Sequence, residues 1–155
     1  MKLREWQETA FPLWWNRKRG IVKVVTGGGK TVFAIHCLKQ YLKENQNNSI
    51  LIVVPSIALL DQWYEGLLQS YDANQLSLNG GGEHLEELSM ITISTIDSVK
   101  NIIDKFDASQ TLLIVDECHK IGTEKRGETL TNYWHATLGL SATPERDYDD
   151  NFYII

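Results

Sequence analysis

"VVTGGGKTVFAIHCLKQY", residues 24–41, sets three consecutive glycines between a β-branched run and an amphipathic stretch. Glycine loses more backbone entropy on folding than any other residue, so a polyglycine connection between packed elements needs a reason. Upstream, "IVKVV" (21–25) reads as a strand; downstream, Ala34, Ile35, Leu38, Tyr41 and Leu42 recur at helical spacing. Strand, glycine turn and helix in that order form the opening unit of a parallel α/β sheet.

The rest of the chain repeats the alternation. "ILIVV" (50–54), "MITIS" (90–94), "TLLIV" (111–115) and "ATLGL" (136–140) read as further strands, several of them almost continuously apolar. Such runs suit strands covered on both faces. "SIALLDQWYEGLLQSY" (56–71) reads as a second helix, with Ser56 behind Pro55 as its N-cap. The expected fold is therefore α/β, with a central mainly parallel sheet of about five or more strands and helices on both faces. In "LREWQETAFPLWWNRK" (3–18), Pro12 interrupts a helical pattern, predicting two short helices or a bent one. "RKRG" (17–20) reads as basic residues closing that helix before a glycine terminator, in preference to a nucleic-acid patch. "LNGGGEHLEE" (78–87) has a second glycine triplet without a following Lys-Thr and reads as a surface loop.

Bulk properties narrow the classes. The 155 residues fit one domain, and 43% hydrophobic content is ordinary for a globular chain. No apolar run approaches a membrane span, and "MKLREWQETAF" has no signal-peptide core. Cys37 and Cys118 form neither a disulfide framework nor a zinc pattern, so reduced thiols in the cytoplasm are expected. Fifteen basic against twenty acidic residues give a net charge of −5, which argues against gripping nucleic acid by bulk charge.

The glycine turn has the context of a phosphate loop. Thr26, Gly27, Gly28 and Gly29 would turn backbone N–H groups toward phosphate oxygens, backed by the positive end of the following helix. Lys30 is placed for the β- and γ-phosphates, and Thr31 offers a hydroxyl to Mg²⁺. Val24 occupies the position of the usual first glycine. A glycine-rich turn with an incidental lysine is the plainer reading of this motif alone. The second half is "TLLIVDECHK" (111–120), an apolar strand ending in Asp116 and Glu117. Strand ends at the carboxyl edge are where open α/β sheets bind ligands. Asp116 would hold Mg²⁺ and Glu117 would orient the attacking water, although adjacent acids can also merely cap a turn. These two signals fit a GTPase as well, but no N-K-x-D guanine-reading motif occurs.

Taken with four further segments, these motifs resemble the superfamily 2 helicases and translocases of the DEAD/DEAH type. "VTGGGKT" is similar to motif I, "VDECHK" to motif II and "GLSATPER" (139–146) to motif III. "LREWQ" (3–7) resembles the Q-motif, "VVPSIALLDQW" (53–63) motif Ia, and "STIDSV" (94–99) a later DNA-contacting motif. They occur in family order, and the Leu-Arg-x-x-Gln opening and the "GLSATPER" segment look closest to the XPB-like and restriction-translocase branch.

The resemblance implies a RecA-like P-loop domain over residues 1–155 that binds ATP and Mg²⁺. Lys30, Asp116 and Glu117 would be catalytic, and Gln7 would read adenine through its amide. His119, Ser141 and Thr143 would couple nucleotide to nucleic acid. Pro55, Ser56, Gln62, Thr95 and Ser98 would meet a DNA backbone, with RNA left open. Gln7 could equally be a surface helix residue, and Ser56 and Ser98 could be helix caps. Trp63 and Trp134 read as core, and Cys118 as packing. The family engine has two such lobes, with an arginine finger on the second. The chain is thus expected to be a monomeric first lobe lacking the second, nearly inactive by itself, since Arg146 sits on the same lobe. The motor subunit of a restriction system and a non-catalytic ATP-dependent binding module are the alternatives.

Overall fold

The computed structural model describes residues 2–24, 29–80, 85, 87–118 and 134–141. Their sheet has six strands: β1 (Ile21–Lys23), β2 (Ser49–Val54), β3 (Leu76–Asn79), β4 (Ile91–Thr95), β5 (Thr111–Val115) and β6 (Ala136–Ser141). The spatial order is β1-β6-β5-β2-β4-β3, and every pairing is parallel. The expected α/β parallel fold is present. β3 is the strand that the sequence reading missed. It is a four-residue edge strand, "LSLN", whose last two residues fall inside the stretch read as a loop. Too few residues alternate there to stand out from the polar segment that follows.

Alternation along the strands divides the interior in two. Ile50, Ile52, Val54, Ile91, Ile93, Leu112 and Ile114 join the apolar faces of three helices in one cluster. These helices are α1 (Glu5–Arg17), α2 (Lys30–Glu44) and α3 (Ile57–Leu67). Leu51, Val53, Leu113 and Val115 face the other way, against Ile96, Val99, Ile102, Cys118 and Trp134. Among the described residues, short 3₁₀ turns between Val99 and Gln110 help cover that second face. Central strands β2, β4 and β5 are buried almost throughout, which accounts for the continuous apolar runs of β2 and β5, whereas β4 buries Thr92, Ser94 and Thr95 among its isoleucines.

Three local expectations are narrowed or changed. Of two short helices or one bent one, the structure has one: α1 runs as a single helix through Pro12. Proline removes the hydrogen bond that would reach the Glu8 carbonyl, but Glu8 and Pro12 are both exposed, so water can satisfy that group. The terminator of α1 is Lys18 in the left-handed conformation (φ 54°), two residues before Gly20. Lys18 Nζ donates to the Trp15 carbonyl at 3.3 Å and lies 4.0 Å over the Trp15 ring, so the basic residues do close the helix. Helix α3 ends at Leu67 instead of continuing to 71, as Gln69 and Ser70 turn back to the carbonyls of Gly66 and Leu67.

Cys37 and Cys118 are free and buried. Burial pushes both thiols well above their usual range, Cys118 to about 12 with the help of the Asp116 charge. Mass spectrometry after alkylation should show no adduct on the native chain and two after unfolding without reductant. A chain that gains no adduct even when unfolded would overturn the free-thiol assignment.

Candidate nucleotide site

The candidate residues collect at the carboxyl ends of the strands. Strand β1 leads to the glycine turn, β5 to Asp116, β2 to Pro55 and Ser56, β4 to Thr95 and Ser98, and β6 ends on Ser141. β6 lies between β1 and β5, so Ser141 stands between the two halves of the site. Its carbonyl accepts the Val24 N–H at 3.0 Å, which fixes the exit of β1.

Gly29 starts α2 from a left-handed conformation (φ 89°). The backbone thus requires glycine, and a Cβ there would lie 2.7 Å from Gln7 Nε2, so it would also push the Gln7 amide aside. The first turn of α2 carries no acidic residue, leaving the positive end of the helix uncompensated. Lys30 and Thr31 occupy that turn, both half-buried.

Lys30 spans to the other half of the site. Its Nζ donates to Glu117 Oε1 in a close ion pair and lies 3.4 Å from Asp116 Oδ1. Burial alone would depress the lysine, but the hydrogen bond to Glu117 and the two carboxylate charges outweigh it. The ammonium is therefore held above the ordinary lysine range and stays charged.

Asp116 is almost wholly buried, at 2% exposure. Its backbone N–H donates to the Val53 carbonyl at 2.9 Å, continuing the β5–β2 ladder. Oδ1 accepts the Glu117 N–H at 2.8 Å, and Oδ2 accepts the indole N–H of Trp63 at 2.9 Å. Glu117 is left-handed at φ 52°. That conformation costs a non-glycine residue about 1–3 kcal/mol and concentrates at functional sites.

Gln7 is buried on α1 and makes two bonds. Its Oε1 accepts the Arg4 N–H at 2.7 Å, closing the helix N-terminus, and its Nε2 donates to the Gly29 carbonyl at 2.8 Å. The surface-residue alternative is thereby removed: Gln7 ties α1 to the phosphate-loop exit. The Arg4 guanidinium also approaches Gly29, a placement to which the sequence reading gave no role.

The remaining candidates separate by exposure. Ser56 caps α3, its hydroxyl accepting the Leu59 N–H at 3.3 Å, and is exposed, as is Gln62. Thr95 is buried, and Ser98 starts a 3₁₀ turn without a side-chain capping bond. Trp63 and Trp134 are core residues. Thr26, Gly27, Gly28, His119, Thr143 and Arg146 lie outside the described residues.

The set suits a magnesium nucleotide. Among the described residues no cluster of three or more His, Cys, Asp and Glu forms an all-protein metal cage. Magnesium on a nucleotide needs only one or two carboxylates beside the phosphates and water. Asp116 Oδ1, turned toward Lys30, provides one.

Comparison with known proteins agrees with this geometry. Residues 1–146 match the family model of the type III restriction enzyme, res subunit. A DNA 3'-5' translocase XPB2 of Sulfurisphaera tokodaii is 36% identical over 150 residues, covering 95% of this chain and 32% of the relative. A putative DNA 3'-5' helicase Rad25 of Halobacterium salinarum is 30% identical, covering 96% of this chain and 24% of that protein. The chain thus spans a third or less of these relatives. Among solved structures, the UvsW helicase of bacteriophage T4 superposes with a TM-score of 0.75 at 23% identity, over 92% of this chain and 53% of that one. The Sulfolobus solfataricus SWI2/SNF2 ATPase core in complex with dsDNA gives 0.81 at 19% identity, over 99% and 35%. These likenesses establish the RecA-like lobe as the fold.

Two glycines offer a paired test. Gly29→Ala should destabilise the chain by on the order of 1–3 kcal/mol through strain and collision with Gln7. Gly66→Ala, in α3 with open space around it, should stabilise by about 0.4–1 kcal/mol. Urea denaturation reads both, and equal effects at the two positions would refute the account of Gly29.

Proposed function

Since this chain belongs to the family of the type III restriction enzyme res subunit, we propose that it is the ATP-binding lobe of a DNA-dependent ATPase that translocates on or unwinds DNA. The observation that carries this reading is the meeting of Lys30 with Asp116 and Glu117 at the start of α2. A phosphate-binding lysine, a helix N-terminus and two carboxylates at one sheet edge are the parts phosphoryl transfer requires.

In this reading the β- and γ-phosphates take the Lys30 ammonium from the carboxylates. Asp116 Oδ1 and the Thr31 hydroxyl would hold Mg²⁺, which would supply neutralisation of the charge developing on the phosphates. Glu117 orients the attacking water and receives its proton. Gln7, fixed against Gly29, presents the remainder of its amide to adenine. His119, Ser141 and Thr143 couple this site to DNA lying across the ends of β2 and β4. There Pro55, Ser56, Gln62, Thr95 and Ser98 supply backbone contacts. Few contacts of that kind suit a chain of net charge −5. A second RecA-like lobe supplies the opposite wall of the cleft. Monomeric behaviour of this lobe and cytoplasmic residence belong to the same proposal.

Lys30→Ala should weaken binding of a fluorescent ATP analogue by about 1.5–3 kcal/mol, the loss of one charge-assisted contact. Unchanged affinity would sink the phosphate-loop assignment. Adenine over guanine nucleotide preference should be reduced by Gln7→Ala, because guanine reverses donor and acceptor at the base edge. Equal affinity of the parent chain for ADP and GDP would refute the role of Gln7.

Hydrolysis tests the two-lobe reading. An arginine finger from an opposing wall is worth roughly 10³–10⁵ in rate. A coupled assay should find the 155-residue chain barely active and little stimulated by DNA. A polypeptide carrying both lobes should be strongly stimulated, with Glu117→Gln abolishing turnover while sparing binding. Fast, DNA-stimulated turnover by residues 1–155 would instead make this a self-sufficient ATPase.

A further inference from the structure

Trp63 has the burial of a core residue, at 2% exposure, yet its one polar atom is spent on the site. The indole Nε1–H donates to Asp116 Oδ2 at 2.9 Å, in a bond buried at both ends. The other oxygen, Oδ1, accepts the Glu117 N–H and lies 3.4 Å from Lys30 Nζ. The two oxygens of one carboxylate are therefore sorted: the rear one is tied to α3, and the front one faces the phosphate-binding lysine.

We propose that Trp63 is a positioning residue that locks the Asp116 carboxylate so that Oδ1 alone is offered to the nucleotide's magnesium. A carboxylate can rotate about its last torsion, and the backbone bond of Asp116 to the Val53 carbonyl fixes where the side chain starts but not how its carboxylate is turned. Two N–H donors on different oxygens fix that rotation. The Trp63 bond also prevents Oδ2 from competing for Lys30 or the metal. Trp63 is well suited to this work. Its bicyclic ring is anchored in the apolar cluster beneath α3 and the sheet, so the N–H position is set by core packing. Partners of this kind, one step removed from a metal, usually change its affinity about 10–100-fold when lost.

This inference rests on the magnesium-nucleotide reading above, and its test separates the two. The quantity measured is the magnesium increment, the ratio of fluorescent-ADP affinity with Mg²⁺ to that in excess EDTA. For Trp63→Phe the increment should fall about tenfold, while affinity in EDTA stays at the parent value. Leu67→Val, a buried change on the same helix away from Asp116, should lower the melting temperature but leave the increment intact. Should Trp63→Phe fail to fold, a benzothienylalanine at position 63 keeps the bicyclic shape and replaces the N–H by sulfur. It should give the same tenfold fall. An unchanged increment in a folded variant lacking the N–H would overturn the role of Trp63 and leave the nucleotide site standing. No increment in the parent chain would overturn both.

Discussion

The ion pair of Lys30 with Asp116 and Glu117 is the constraint around which the other parts of the site are arranged. It joins the element after β1 to the end of β5, across the intervening strand β6. Three charges meet there in a half-buried setting, where desolvation is costly unless each finds a partner. The lysine remains charged because the carboxylates outweigh its burial. The carboxylates in turn are held by donors from Trp63, the Glu117 backbone and Lys30.

The surrounding fold places those donors with little freedom. Parallel pairing brings every strand's carboxyl end to the same edge, so residues distant in sequence converge there. Gln7 then clamps α1 onto Gly29, and Trp14 on the same helix donates from Nε1 to the Thr137 carbonyl in β6 at 2.8 Å. The N-terminal helix thus touches both the turn that ends at Lys30 and the strand beside it. These two polar anchors add to the packing of Trp6, Phe11, Trp14 and Trp15 against the core.

What could be read from the sequence follows from the range of the interactions involved. Glycines before Lys-Thr and an apolar strand ending in paired acids are local patterns, and the structure brings Gly29 and Lys30 to the same sheet edge as Asp116 and Glu117. The apolar runs of β2 and β5 were legible because burial on both faces leaves no polar alternation to confuse, and β4 was legible from its β-branched residues. Edge strand β3 was not, since its four residues carry a polar neighbour on the chain and a partner on one side only. The unbroken α1 was hidden because proline's cost depends on whether solvent reaches the orphaned carbonyl, a tertiary fact. Trp63 shows the same limit at the site. Its ring obeys the periodicity of a core residue, and nothing local reveals that its N–H points at a carboxylate 53 positions away.

The ion pair also bears on how binding would proceed in the proposed reading. Lys30 does not wait in open solvent; it already occupies carboxylates that a metal nucleotide would need. Phosphate binding in the proposed reading would then be an exchange: the Lys30 ammonium would turn from carboxylate to phosphate oxygen, leaving Asp116 to help hold the nucleotide's metal. Both charge sets remain compensated before and after, so the net free energy is smaller than either contact alone suggests. Phosphate without the metal would strip the carboxylates of their cation and leave Asp116 buried with its charge uncompensated. Metal without phosphate would bring a divalent ion against a lysine still held by Glu117. In the proposed reading the pairing would therefore favour joint arrival of phosphate and metal over either alone, and the orientation of Asp116 Oδ1 would bear on nucleotide affinity as well as on hydrolysis.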